Sequence, residues 1–295
     1  MEYRFADDQA SAIRLLLNSQ GRARIIAGGT DLVLDLESKK VQADVLIDVT
    51  RISSFQGIFY DTASNTVRIG SCVTHGEAAA HPDLLSLAPA LAEGCGAVGS
   101  TQIRNVATIG GNIVSAQPAA DAAVPLAALE AVCSIAGQDG DEIVPIGQMY
   151  AGFGKSRLDS ARQILTSVSF QADRPQESCA YVRLARRGSL ALPVLCVAAR
   201  VRLTRDRRIE RAVIAMAPVG VGPVRARQAE ELLVGEPFTE ETLRRAGSCA
   251  VLEASPRTSA VRGSREYRLQ TLPVLVERAL DLAGERALGK MGVLR

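Results

Sequence analysis

Two paired-glycine motifs constrain this chain most: Ala27-Gly28-Gly29-Thr30-Asp31, entered from the apolar run Arg24-Ile25-Ile26, and Thr108-Ile109-Gly110-Gly111-Asn112, entered from Gln102-Ile103-Arg104-Asn105-Val106-Ala107. Adjacent glycines let a backbone approach an anion closely and present successive N–H groups to it, which is how proteins cradle a pyrophosphate. At the first pair, Thr30 adds a hydroxyl donor, and Asp31 is placed to cap the following helix or to accept from a ligand hydroxyl. Around the second, Thr108, Asn112 and Ser115 are short polar side chains able to reach phosphate or ribose oxygens, and equally able to bond within their own loop. Two such loops predict one dinucleotide held between two lobes.

The remaining composition narrows the setting. With 295 residues, 47% of them hydrophobic, the chain can bury a substantial core. That length suits two or three compact units of roughly 100 to 150 residues each. Lys plus Arg is 34 against Asp plus Glu at 32, so the net charge of +2 gives no electrostatic case for nucleic acid or an anionic membrane. No apolar stretch has the length of a membrane span, and Met1-Glu2-Tyr3-Arg4-Phe5 lacks the basic-then-apolar order of a signal peptide, so the expected location is cytoplasmic. Six scattered cysteines show no Cys-x-x-Cys pair and only His75 and His81 accompany them, which predicts buried reduced thiols and no metal site. No nucleophile-elbow sequence supports a Ser-His-Asp triad.

Periodicity predicts a small α/β lobe first: a helix over 7–17, a strand over 24–27, a helical run over 32–36 and a buried strand over 45–49. From Phe55 onward a hairpin is expected (57–60 with 66–70), then a short helix opened by the capping box Thr74-His75-Gly76-Glu77 and a longer one over 84–93. Asp121 stands where an N-cap would, ahead of a helix over 122–129, with strands over 132–136 and 163–170 beyond it. Next to a pyrophosphate loop, Asp121 has a second reading, as acceptor for a ribose hydroxyl. The polar run Gln171 to Glu177 marks the main boundary. After it come strands over 180–184, 194–203 and 209–217 and helices over 224–233, 240–252 and 267–283. Gly94-Cys95-Gly96-Ala97-Val98-Gly99 spells a Rossmann pattern, but a helical segment precedes it and no long helix follows, so it reads as a helix terminus. The arginines Arg183, Arg186 and Arg187, and those from Arg200 to Arg211, are expected on a solvated sheet face, or on a face toward a partner subunit.

Taken together, the runs 24–32, 102–112 and Pro118-Ala119-Ala120-Asp121 resemble the FAD-binding medium subunit of the molybdenum hydroxylases, the family of xanthine dehydrogenase and carbon monoxide dehydrogenase. The resemblance covers the entire chain. It implies an α+β architecture: an FAD-binding fold of two α/β subdomains of the PCMH, vanillyl-alcohol-oxidase-like type, then a C-terminal domain with a three-stranded antiparallel sheet and a helical bundle. The implied domains are residues 1–174, with subdomains of about 1–55 and 56–174, and residues 178–295. It further implies FAD contacts at Ala27, Gly28, Gly29, Thr30, Asp31 and Leu32, and at Thr108, Ile109, Gly110, Gly111 and Asn112, with Asp121 near the adenosine ribose. Beside the flavin ring the implied residues are Leu165, Tyr181 and Arg183. Arg183 stands where lysine is frequent, and Gly188-Ser189-Leu190-Ala191 stands where many relatives have an aspartate. These departures bear on the electron acceptor rather than on FAD.

The function so implied is an FAD-carrying oxidoreductase subunit with no substrate chemistry of its own. It would pass electrons from a small iron–sulfur subunit, fed by a large molybdopterin subunit, through FAD to an acceptor such as NAD or a quinone. Two alternatives stand beside it: a free-standing FAD-dependent oxidoreductase acting on a small organic substrate, and a non-catalytic assembly module without flavin.

Overall fold

The computed structural model describes residues 1–292, so the last three residues of the expected C-terminal domain lie outside the described residues. The first lobe is a parallel sheet. β1 (Glu2–Phe5), α1 (Gln9–Asn18), β2 (Ala23–Ile26), α2 (Leu32–Glu37) and β3 (Val45–Asp48) assemble in the strand order β1-β3-β2. A capping box between Asp8 and Ser11 starts α1, and Leu16 plants it on Ile47 and Phe55 in a small apolar core. β1 carries no readable alternation because all four of its residues are exposed on an edge strand. Only its pairing with β3 reveals it.

The second lobe centres on a five-stranded antiparallel sheet, and its elements follow β3 in chain order. The strands β4 (Ile58–Asp61) and β5 (Thr66–Gly70) lead into α3 (His75–Ala80), α4 (Pro82–Leu87), α5 (Pro89–Gly96), α6 (Thr101–Arg104), α7 (Ile109–Val114) and α8 (Ala123–Ala128). Then come β6 (Val132–Gly137), β7 (Gly140–Pro145), the small pair β8 (Tyr150–Gly152) and β9 (Lys155–Ser156), and β10 (Ile164–Gln171). The sheet order is β4-β5-β10-β6-β7. Where one helix was expected over 84–93 there are two, because Pro89 forces Ala88 out of the helical region to φ −154° and ψ 55°. The edge strand β7 was not foreseen, since five of its six residues are exposed. The Rossmann-like glycines end α5: a Cβ on Gly94 would lie 2.7 Å from the Asp121 carbonyl oxygen, so that glycine serves close packing beneath the 121–125 segment.

The last unit comprises β11 (Glu177–Leu184), β12 (Leu195–Leu203), β13 (Ile209–Ala217), the two-residue β14 (Val224–Arg225), α9 (Arg227–Leu233), α10 (Glu240–Ala250) and α11 (Arg265–Gly292). Its sheet has four strands rather than the three expected, because Val224 and Arg225 pair with β13 before the helix begins. Both faces of this sheet are buried. Cys196, Ala198, Val213 and Ala215 join the core of the FAD-binding lobe, while Val197, Ala199, Ile214 and Met216 face α9, α10 and α11. A sheet covered on both sides reads as a continuous apolar run.

That alternation corrects the arginine assignment. Arg200 shares the parity of Cys196 and Ala198, so it points inward, where its guanidinium bonds Asp173 at 3.0 Å, Glu177 at 3.0 Å and the carbonyls of Gln171 and Ala172. It is only 4% exposed, and it fastens the boundary segment to the C-terminal sheet. Burial pushes the Asp173 carboxyl up to about 6, against the opposing pull of Arg200 and Lys290. Arg202, Arg208 and Arg211 do sit in partly exposed ion pairs. Among the described residues no helix is long and apolar enough to cross a membrane.

Candidate functional site: a cleft between two glycine motifs

The lobes enclose a cleft of about 930 Å³. Both glycine motifs line it, and they touch. A Cβ on Gly28 would fall 2.0 Å from the Val106 carbonyl oxygen, so Gly28 is required where the first loop lies against the approach to the second. Gly29 has φ +68°, a conformation that side chains other than glycine rarely adopt, and it turns the chain from β2 into α2. Along this turn the N–H groups of Gly28, Gly29, Thr30 and Asp31 donate to no acceptor among the described residues. Asp31 makes no side-chain capping bond to α2, which leaves its carboxylate available as well.

The second motif has a different construction from the turn expected. Gly110 and Gly111 lie in the first turn of α7, whose N-cap is Thr108. The N–H groups here are already used: Ile109 donates to Val73, Gly110 to Ser71 and Gly111 to the Thr108 hydroxyl oxygen. Gly110 is packed into the fold, since a Cβ would meet the Ser71 carbonyl oxygen at 2.6 Å, while a Cβ on Gly111 would meet only Thr108 Oγ1 at 3.1 Å. This motif therefore presents the bare Gly111 backbone, the Thr108 hydroxyl proton and Asn112 to the cleft rather than a row of amides. Asn112 Oδ1 is buried without a partner.

His75 and Cys72 are among the lining residues that escaped the sequence reading. His75 is 1% exposed, its Nδ1 has no partner, and burial followed by the nearby Arg104 charge pushes it down to about 4. An isolated bridge between Thr74 and Thr108, with the His75 N–H donating to Ala107, brings it against the second motif. The capping box that opens α3 was legible, but this register between segments of the second lobe was not. Cys72 also lines the cleft, with its thiol pushed up to about 11 by burial.

Of the expected contacts, Ala27, Gly28, Gly29, Thr30, Asp31, Leu32, Thr108, Gly110, Gly111, Asn112, Asp121 and Leu165 line the cleft. Ile109 is fully buried and does not. Neither do Tyr181 and Arg183, which stand behind Asp121: its Oδ1 accepts from Tyr181 Oη at 2.6 Å and from Arg183 Nε at 2.8 Å. A buried phenol needs an acceptor, and this carboxylate supplies it. The capping role for Asp121 is thereby overturned, since α8 is preceded by Ala122 and has no side-chain cap. Burial raises the Asp121 pKa, with Tyr181 and Arg183 opposing. Because one oxygen binds both residues, Asp121, Tyr181 and Arg183 form a single cluster at one point of the cleft wall. Arg183 Nη2 also donates to the Ala191 carbonyl, and Ala191 with Leu190 and Leu192 forms part of the cleft wall.

Unpartnered amides beside a positive-φ glycine, an orphaned amide oxygen and an orphaned imidazole nitrogen in one elongated cleft fit a dinucleotide with a pyrophosphate at its middle. The comparisons agree with this geometry. Residues 1–170 match the family described as the FAD binding domain in molybdopterin dehydrogenase, and residues 180–283 match the CO dehydrogenase flavoprotein C-terminal domain. The chain belongs to this family of FAD-binding subunits. It is 32% identical over 221 residues, 74% of each chain, to the nicotinate dehydrogenase FAD-subunit of Eubacterium barkeri. It is 29% identical to a putative xanthine dehydrogenase FAD-binding subunit of Escherichia coli, covering 98% of each. The fold superposes on a chain of carbon monoxide dehydrogenase from Hydrogenophaga pseudoflava with a TM-score of 0.90 at 26% identity, covering 97% of this chain and 98% of that one. The cofactor is FAD, and the free-standing alternative loses its support.

Proposed function

We propose that this chain is the FAD-carrying electron-transfer subunit of a molybdenum hydroxylase complex, placed between the iron–sulfur clusters of a small partner and an external acceptor. The observation that carries the reading is the row of unpartnered amides from Gly28 to Asp31, facing a cleft whose far wall offers Gly111, Thr108 and Asn112. FAD, when bound, exchanges electrons singly or in pairs, which suits a station between one-electron clusters and a two-electron acceptor. The protein's share is binding, orientation and exclusion of water. Gly28 to Asp31 donate N–H groups to the pyrophosphate, with Thr30 adding a hydroxyl. Gly111 admits it closely, and Thr108, its oxygen occupied by the Gly111 N–H, is free to donate its proton. We assign Leu165 and the segment Leu190 to Leu192 to the apolar enclosure of the flavin ring. Asp121, Tyr181 and Arg183 are assigned to positioning that wall, through the Ala191 carbonyl.

The partners proposed are a molybdopterin-containing large subunit and an iron–sulfur small subunit, supported by the kind of complex that the relatives' names describe. The described residues hold no group of three or more His, Cys, Asp or Glu side chains suited to a metal ion, so both metal centres would come from those partners. A cytoplasmic location is supported by the six unpaired cysteines. The acceptors proposed are NAD or a quinone. Mixing the FAD-loaded chain with the two partner subunits tests the assignment: a stable complex whose flavin absorbance bleaches on addition of the hydroxylase substrate is expected. Turnover of an organic substrate by the chain alone would contradict it. Bleaching of the isolated chain by NADH would identify NAD as the acceptor, whereas bleaching only by a reduced quinone would identify a quinone.

A further inference from the structure

Apart from the cleft, the most unusual electrostatics lie where the segment after β11 meets the segment before α11. Arg186, Arg187, Arg257, Arg262, Arg265 and Arg268 gather here, and none has a carboxylate within ion-pairing distance among the described residues. Arg183, Arg200, Arg202, Arg211 and Arg225 of the same unit each have one. The two segments are joined by Arg186, whose Nη1 donates to the Val261 carbonyl at 3.1 Å. Arg257 stacks on the Phe153 ring at 3.6 Å, a cation–π contact that supplies no counter-anion. Arg268 is 3% exposed, its Nε has no partner, and its one side-chain bond is a 3.4 Å contact to the Pro218 carbonyl. Burial and the charges of Arg262 and Arg257 push its pKa down. A buried guanidinium among other unneutralised guanidiniums is costly unless an anion joins it.

A concavity of about 340 Å³ opens here, lined by Arg186, Arg262 and Tyr267 together with the apolar Leu184, Val194 and Val261. It is separate from the flavin cleft, although the 185–193 segment contributes to both walls. We propose that this concavity is a binding site for a small phosphate-bearing anion, with Arg262 and Arg186 holding the phosphate. Arginine forks match phosphate oxygens in pairs, and the volume lies in the range of small-ligand pockets. Tyr267, 46% exposed at the rim, offers a ring on which a nucleobase can stack. A concave site with two arginine side chains on its wall suits a small anion better than the flat face of an acidic protein.

The test is calorimetric titration of the FAD-saturated full chain with ADP, with inorganic pyrophosphate and with adenosine. One ADP per chain is expected, with adenosine bound at least tenfold more weakly. Arg262→Ala should lower ADP affinity at least tenfold while leaving the flavin spectrum unchanged, since the Arg262 side chain makes no hydrogen bond among the described residues and does not line the cleft. Arg262→Lys should recover part of the loss, as a point charge replaces the fork. Pyrophosphate bound as tightly as ADP supports the site and assigns it free phosphate, whereas tighter ADP assigns it a nucleotide. Failure to bind either probe, or affinity unmoved in Arg262→Ala, would overturn the proposal. So would ADP binding that is lost in Gly111→Val rather than in Arg262→Ala, because the ligand would then be entering the flavin cleft.

Discussion

Replacing Gly111 with valine separates the cofactor's requirement from the fold's. A Cβ at this position meets only Thr108 Oγ1, at 3.1 Å. The neighbour that must give is a side-chain hydroxyl whose capping bond is worth about 1 kcal/mol. Against that, valine is a better helix residue than glycine by a few tenths of a kcal/mol, so the unliganded chain should stay within about 1 kcal/mol of the parent. In the cleft the two added methyl groups occupy the space through which Gly111 admits a pyrophosphate. A loss of at least 100-fold in FAD affinity is expected, equivalent to about 2.7 kcal/mol. Gly110→Val is the contrast: its Cβ would meet the Ser71 carbonyl at 2.6 Å and Ser71 Cβ at 2.8 Å, so it should destabilise the fold itself by about 1–3 kcal/mol or more. Urea unfolding of the apo chains and fluorescence titration with FAD distinguish the two. Normal FAD affinity in Gly111→Val, together with an intact fold, would refute the placement of the pyrophosphate.

Three other outcomes follow from buried charges. Arg200→Ala removes the cation shared by Asp173 and Glu177 and should cost about 3–5 kcal/mol in urea unfolding, because Glu177 loses its ion-pair partner and Asp173 keeps only Lys290, 3.6 Å away; a change below 1 kcal/mol would show that the boundary segment is held by other contacts. Asp121→Ala leaves Tyr181 Oη and Arg183 Nε without their acceptor, so the 185–193 segment should become more sensitive to limited proteolysis, with weaker FAD retention; unchanged digestion would separate Asp121 from that wall. His75 has its folded pKa pushed from 6.5 down to about 4, so between these values the unfolded chain binds more protons. Stability is therefore fully present above pH 6.5 and falls as the pH drops toward 4, by about 3 kcal/mol for this group, and His75→Asn should remove that component from a pH series of melting curves.

What the sequence made legible is what local chemistry encodes. The capping box at Thr74 and Glu77 marks its helix, and Gly28-Gly29 marks a turn whose amides stay free. The edge strands β1 and β7 were invisible because exposed residues such as Glu2 to Phe5 carry no alternation. The glycine pairs were recognised as a set, yet their division of labour depends on contacts between distant segments: Gly28 against Val106, and Gly110 against Ser71. No spacing rule reveals those contacts. Arg200 was read as solvated because charge alone suggests exposure, whereas its strand is covered on both faces and its parity with Ala198 turns it inward. From its position before a helix Asp121 reads as a cap or as a ribose acceptor, and its side-chain partners within the protein lie 60 and 62 residues away.

The most direct test of the central claim is the visible absorption spectrum of the purified chain, with acid release of the chromophore, compared with that of Gly111→Val. The account predicts a yellow protein releasing one FAD per chain and a folded but colourless variant. A colourless parent chain that takes up no added FAD, or a variant as yellow as the parent, would contradict it.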